Sequence, residues 1–366
     1  MAIDRRLGPV RRLAVLRALS LGDLLCATPA LRALRARFPR AHLTLVGQPW
    51  MSEWAKRMPF VDDCVAMPAH PLTSEQMSVA DPASWDSFVH TMQQRQLDLA
   101  VQLHGSGRLS NGVVAQWGAR QVLAFHEPGQ PVPPNVIGQT WPKRGTEVGR
   151  LLQLVRALGL PAHAVPHVRL FHPVEDADRR AALALLQAHG LRPGHTTGWI
   201  CVHPGAKWPS RRWPVQAFAE VARELAQRGH QIVITGTEGE HDLAAAVQAQ
   251  VPQAINLAGC TNLWTLGALI DGARLLVCND TGVSHVAAAR QTPSVVISSG
   301  SDVARWAPAD PVRHRVLWSH RPCRPCEHPI CPYEHGCAYD IAPEKVLHEA
   351  LQQLGDAQAC SRWRLS

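Results

Sequence analysis

With 366 residues the chain is too long for one ordinary hydrophobic core, so two domains are expected. Apolar residues make up 46% of it and are spread along its length, while the prolines and glycines fall between apolar runs, which excludes a low-complexity chain. The formal charge of +8 suits a polyanionic partner such as nucleic acid, a phosphorylated substrate or an anionic membrane surface, although arginines at helical spacing equally suit a solvated helix face.

In chain order, no stretch approaches the roughly 18 to 20 uncharged apolar residues that a membrane span needs. The N-terminal apolar run is broken by Arg17 and is too short for a secretory signal, so a cytoplasmic location is expected. Residues 12–17 (RLAVLR) read as a strand. Residues 24–38 read as a helix with Leu24, Leu31, Leu34 and Phe38 on one face and Pro29 expected to kink it or end its first turn. Residues 42–47, 97–103 and 121–125 are further strands, and 146–158 is a helix. Residues 160–198, rich in Pro, His and Gly around a helix at 175–189, read as the interdomain connection.

A second series, with a strand plus loop at 199–206 and strands at 230–236, 254–259, 273–280 and 293–300, alternates with helices at 215–228 and about 240–249. A last helix runs from Pro343 to about Leu354. Each half is thus an α/β unit with a mostly parallel, doubly wound sheet, and neither half carries G-x-G-x-x-G or a P-loop. The expected domains are 1–170, then 171–342 with a cysteine cluster at 323–337, then a helix and tail at 343–366. Two such domains facing each other would hold a ligand in a cleft at the carboxyl ends of their strands.

Four strand-end loops stand out: Ser20-Leu21-Gly22-Asp23, HPGAKWPSRRWP (203–214), GTEGEHD (236–242) and NDTGVSH (279–285). The helix opening after Asp280 offers the N–H groups of Thr281, Gly282 and Val283 to an anion. An arginine from 207–212 can add charge, and an acid near 240 can meet ribose hydroxyls. Taken singly, Asp280 or Thr281 reads as a helix cap, Glu240 as a first-turn acid and the arginines as surface charge. Their gathering on one edge of one domain favours a phosphate site. In the first half, QLHGSGRLSNG (102–112) offers His104, Ser106, Arg108 and Asn111 from a strand end.

LRALSLGDLLCATPALRALRARFP, HPGAKWPSRRWP and VCNDTGVSHVAAA, in this order, resemble the signature segments of glycosyltransferase family 9, the bacterial heptosyltransferases. The resemblance runs from about residue 12 to 354 and implies the GT-B fold of two Rossmann-like domains. It implies an inverting transfer of heptose from ADP-heptose to a lipopolysaccharide inner-core, lipid A-linked acceptor. Acceptor and general base belong to the first domain and donor to the second. Asp23 maps to the base. Arg211 maps to a phosphate-binding lysine, Glu240 to a ribose-binding acid, and Asp280, Thr281, Gly282 and His285 to the donor segment. His104, Ser106, Arg108 and Asn111 become candidates for the acceptor. The implied polyanion is an anionic glycolipid and not nucleic acid, with peripheral contact at the cytoplasmic face of the inner membrane. Alternatives are transfer to a protein such as an autotransporter, and a non-catalytic nucleotide-sugar or metal-binding protein.

No carboxylate pair of the metal-dependent kind is evident, so no cofactor is expected to be required for catalysis. Cys323, Cys326, Cys331 and Cys337, four of ten cysteines, have the short spacings that suit a structural zinc or iron, with reduced, packed thiols or a disulfide as the other readings.

Overall fold

The computed structural model describes residues 7–70, 81–160, 168–191 and 198–356; Cys360, the tail after 356 and part of the 160–198 connection lie outside them. The chain divides into two compact units, Met1–Leu170 and Phe171–Ser366.

The first unit is built on a parallel sheet of six strands: β1 (Arg12–Leu16), β2 (His42–Gly47), β3 (Asp63–Ala66), β4 (Leu99–Gln102), β5 (Gln121–His126) and β6 (Val136–Thr140). Their order is β3-β2-β1-β4-β5-β6. Its helices are α1 (Leu21–Arg37), α2 (Met51–Ala55), α3 (Pro82–Gln94), α4 (Ser110–Ala115) and α5 (Glu147–Arg156). Ala14 and Leu16 of β1 pack with Phe88 of α3 and with Trp117, while Leu13 and Val15, equally buried, point to the opposite face. A strand covered on both faces has no polar side to show, which is why β1 reads as a continuous apolar run.

The second unit repeats the plan with β7 (Trp199–His203), β8 (Gln231–Ile234), β9 (Ile255–Asn256), β10 (Leu275–Asn279), β11 (Ser294–Ile297) and β12 (His314–Leu317), in the order β12-β11-β10-β7-β8-β9 and again all parallel. Its helices are α6 (Asp176–Ala188), α7 (Val215–Gln227), α8 (His241–Gln250), α9 (Leu263–Gly272), α10 (Gly282–Arg290), α11 (Val303–Trp306), α12 (Gly336–Tyr339) and α13 (Pro343–Asp356). Helix α6 packs on α9 and α13 on α7, so both belong to this unit. No helix among the described residues is long and apolar enough to cross a membrane.

Strands β3, β6 and β12 escape the reading of the sequence. All three are sheet edges, and β3 and β6 are only partly buried along their length. Edge strands tolerate polar residues and glycine, as in Asp63-Cys64-Val65-Ala66 and Val136-Ile137-Gly138-Gln139-Thr140, so their apolar signal is weak. Helix α1 runs on through Pro29, which does not end its first turn. Proline supplies no N–H to the carbonyl four residues earlier. The Thr28 hydroxyl donates to that carbonyl, Leu25 O, at 2.6 Å.

In each sheet the chain starts at the centre, winds to one edge, then returns to the far side of its first strand. The reversals fall between β1 and β4 and between β7 and β10, where Leu16 pairs with Gln102 and His203 with Cys278. At such a switch point the flanking loops diverge and leave a crevice beyond the carboxyl ends of the strands.

Candidate functional site

In the first unit, β1 runs through Arg17 into the Ser20–Asp23 turn. Ser20 caps α1 in an extended conformation, so Asp23 is the third helical residue and not the N-cap. Arg17 is fully buried and closes a small network. Its Nε donates to Asp23 O at 3.1 Å, and one Nη donates to Leu103 O at the end of β4. The other Nη lies 3.4 Å from Asp23 Oδ1 and 3.0 Å from Glu147 Oε1 in the first turn of α5. Arg17 and Glu147 are sealed, whereas the Asp23 side chain keeps 21% of its surface exposed. Asp23 is thus the carboxylate of the trio that solvent or substrate can reach.

The loop after β4 is organised mainly by internal bonds. His104 Nδ1 accepts from Ala18 N–H at 3.2 Å, which ties this loop to the one after β1. Ser106 Oγ donates to Glu127 at 3.0 Å and Asn111 Nδ2 to Phe125 O at 2.8 Å. Gly105 and Gly107 turn the chain at φ +72° and +92°, a region that costs other residues strain. Arg108 is exposed. Of the four sequence candidates, Ser106 and Asn111 hold the loop together, His104 lies beside the Asp23 turn, and Arg108 reaches solvent.

In the second unit, β10 ends on Asn279, which is fully buried. Its Oδ1 accepts from Trp213 N–H at 2.8 Å, and its Nδ2 donates to Pro204 O at 2.8 Å and Gly205 O at 3.2 Å. One side chain thereby binds the 204–213 loop to the strand end. Trp213 is buried with its indole N–H on Ile341 O at 3.0 Å, and Pro214 caps α7. The Trp-Pro pair therefore fixes where the loop stops and the helix begins.

Asp280 follows, its N–H on Ile297 O at 2.9 Å and its carboxylate accepting from the Ser301 hydroxyl. Thr281 is the N-cap of α10 but makes no side-chain cap bond. The N–H groups of Gly282 and Val283, the first of α10, have no intrahelical acceptor, and the helix starts three residues after the carboxyl end of β10. His285 lies one turn on, buried, with its ring 6.4 Å from that of Trp306.

Glu240 joins its neighbours in a tighter arrangement than a first-turn acid requires. Its Oε2 accepts from Thr237 N–H at 2.8 Å in a capping box and stands 3.8 Å from His203 Nε2. Burial pushes His203 below its ordinary pKa, and the Glu240 charge opposes that shift. The carboxylate lies against Gly205, where a Cβ would come within 2.6 Å of Oε2.

Arg211 is held by the cysteine-rich segment: one Nη donates to Cys326 O, and the guanidinium lies 5.6 Å from the Trp208 ring. Burial lowers its pKa from the usual guanidinium value, opposed by Cys326 and Asp280 among others. A guanidinium so placed remains charged. Arg212 Nε donates to Ala206 O at 2.8 Å, and Lys207 is exposed.

The segment from Ser319 to Cys337 acts as a strap around these loops. Arg324 donates to Ser298 O at 2.8 Å, Ser298 Oγ at 3.0 Å, Ser301 O at 3.1 Å and Ser319 O at 3.2 Å. His335 Nε2 is 2.9 Å from Ser210 O, and Cys326 N–H donates to Gly300 O at 2.8 Å. Cys323, Cys326, Cys331 and Cys337 are all free thiols. Cys326 and Cys331 each accept from the N–H two residues on, both at 3.4 Å. Among the described residues no three His, Cys, Asp or Glu side chains converge to hold an ion.

The side chains that hold these loops and that the sequence does not single out are Arg17 as a partner of Asp23, Glu147, Ser301 and Arg324. One signal was available: Arg17 is a lone charge inside an apolar run, and a buried charge needs partners.

The family model for glycosyltransferase family 9 (heptosyltransferase) matches residues 142–336. Lipopolysaccharide heptosyltransferase 2 of Escherichia coli K12 is 26% identical over 90% of this chain and 94% of its own length. Among solved structures, E. coli ADP-heptose lps heptosyltransferase II superposes with a TM-score of 0.72 at 23% identity, covering 94% of this chain and 99% of that one. A glycosyl transferase family 9 protein from Veillonella parvula gives 0.74 at 21% identity, covering 94% and 97%. The structural likenesses establish the two-Rossmann GT-B fold.

Proposed function

Because the chain belongs to glycosyltransferase family 9, we propose that it transfers heptose from ADP-heptose to the inner core of lipopolysaccharide, with inversion and with Asp23 as general base. One observation carries the proposal: Asp23 and the Asp280-Thr281-Gly282 segment each lie at the switch point of their own sheet.

The acceptor hydroxyl attacks the anomeric carbon of the heptose as Asp23 takes its proton. The bond from that carbon to the diphosphate oxygen breaks, and ADP leaves with the electron pair. The negative charge growing on the diphosphate meets the N-terminus of α10 and the Arg211 cation. Glu240 accepts hydrogen bonds from the ribose hydroxyls. His104 and Arg108 face the acceptor, an anionic glycolipid, whose charge the exposed Arg108 complements. The catalytic site lies in the cytoplasm, with peripheral contact at the inner membrane.

The test combines purified protein, ADP-, GDP- and UDP-sugars and truncated lipopolysaccharide acceptors, with the product read by mass spectrometry. Heptose transfer is expected from ADP-heptose, and Asp23→Asn should lower turnover by about 10²- to 10⁴-fold without loss of ADP binding. Near-normal turnover by Asp23→Asn sinks the base assignment; transfer only from another sugar nucleotide sinks the donor assignment.

A further inference from the structure

We propose that Arg17 and Glu147 are positioning residues for the reaction: a sealed ion pair that sets the orientation and the charge of Asp23. The inference rests on Asp23 being the base. Three observations carry it. Arg17 grips Asp23 twice, at the backbone carbonyl and at the carboxylate, so the side chain has a fixed origin and a fixed direction. Arg17 is itself immobilised by Glu147, 130 residues away on α5, and by Leu103 O. Both members of the pair are shut off from solvent, so neither can swing out to relieve the other.

The sharing of Arg17 between two carboxylates gives the pair a second role. One guanidinium serves two carboxylates, of which the better desolvated, Glu147, is also the nearer at 3.0 Å against 3.4 Å. Glu147 competes with Asp23 for the same cation. Arg17 favours the ionised form of Asp23, and Glu147 tempers that effect. Among the described residues, titratable or charged groups on the neighbouring elements include His104, on the loop after β4, which accepts from Ala18 N–H, and Arg150, which follows Glu147 on α5 and lies 5.1 Å from the Trp141 ring. Strand β2 contributes a backbone carbonyl, Val46 O, to Arg17 N–H. The remaining charges of α1 and α5, namely Arg32, Arg35, Arg37 and Arg156, lie toward the far ends of those helices.

Opposed charges predict opposed displacements. In the kcat/KM-against-pH profile with ADP-heptose and a truncated lipopolysaccharide acceptor, Arg17→Gln should move the acid limb up by about one pH unit or more. Glu147→Gln, nearly isosteric, should move it down by about half a unit. Arg17→Lys should leave the limb near its wild-type position while kcat falls, since charge is kept and the planar fork is lost. Limbs that stay at the wild-type position in Arg17→Gln and Glu147→Gln, whatever happens to kcat, would reduce the pair to a structural contact and overturn the proposal. If Arg17→Gln does not fold, Glu147→Gln decides alone: a lowered limb supports the proposal and an unmoved limb refutes it. Asp23→Asn separates the two levels. Full activity there overturns the base assignment, whereas an inactive Asp23→Asn with unmoved limbs elsewhere overturns only the role of the pair.

Discussion

Replacing Gly205 with alanine should damage nucleotide binding entirely through Glu240. The position has no backbone requirement for glycine, but a Cβ there would lie 2.6 Å from Glu240 Oε2, where ordinary contacts are 3.4–4 Å. The carboxylate must swing away, giving up the Thr237 N–H at 2.8 Å and its place beside His203. A hydrogen bond to a charged group contributes about 1.5–3 kcal/mol. If the carboxylate accepts from the ribose, its displacement should weaken ADP binding by about 10- to 100-fold. Glu240→Ala should produce a similar loss. In that background the alanine methyl has room, so Gly205→Ala should then add almost nothing. Titration calorimetry of ADP with the wild type, both single variants and the double variant gives the full cycle. Undiminished affinity in Gly205→Ala, or two losses that simply add, would refute the reasoning.

A buried histidine and a helix repair give two further expectations. Burial holds His314 at a pKa of about 4, opposed by Asp310 and assisted by Arg313 and His285, while its Nδ1 lies 2.8 Å from Ser294 Oγ. The unfolded chain therefore binds more protons between about pH 6.5 and 4, so stability should fall by about 3 kcal/mol as the pH drops through that window and level off below it. His314→Asn should flatten this part of the Tm-against-pH curve, and a parallel curve would refute the assignment. Thr28→Val removes the hydroxyl that serves Leu25 O while keeping the shape of the side chain. An unmade bond at a buried carbonyl should cost about 1–3 kcal/mol, read as a Tm lower by about 3–8 °C. An unchanged Tm would mean that Pro29 is accommodated in another way.

Much of this fold is written locally. The central strands β1, β4, β7 and β10 are recognisable because sheets covered on both faces demand uninterrupted apolar runs. The loops at 20–23 and 279–285 are recognisable because a strand end, a glycine and a helix start follow one another directly in the chain. Asp23, Glu240 and Asp280–His285 could therefore be named from sequence alone. Their partners could not. The residue that grips Asp23 is six positions away, but the one that immobilises it, Glu147, is 130 positions away, and Asn279 reaches Pro204 across 75. Arg211 shows the limit most clearly: its sequence position marks a cation before Trp-Pro, while its actual hold on Cys326 O spans 115 residues. Periodicity and turn chemistry act over a few residues and so fix which elements form. Which charges share one buried site depends on strand order, because only the doubly wound topology carries β1 beside β4 and β7 beside β10, and that is decided by the packing of the whole sheet.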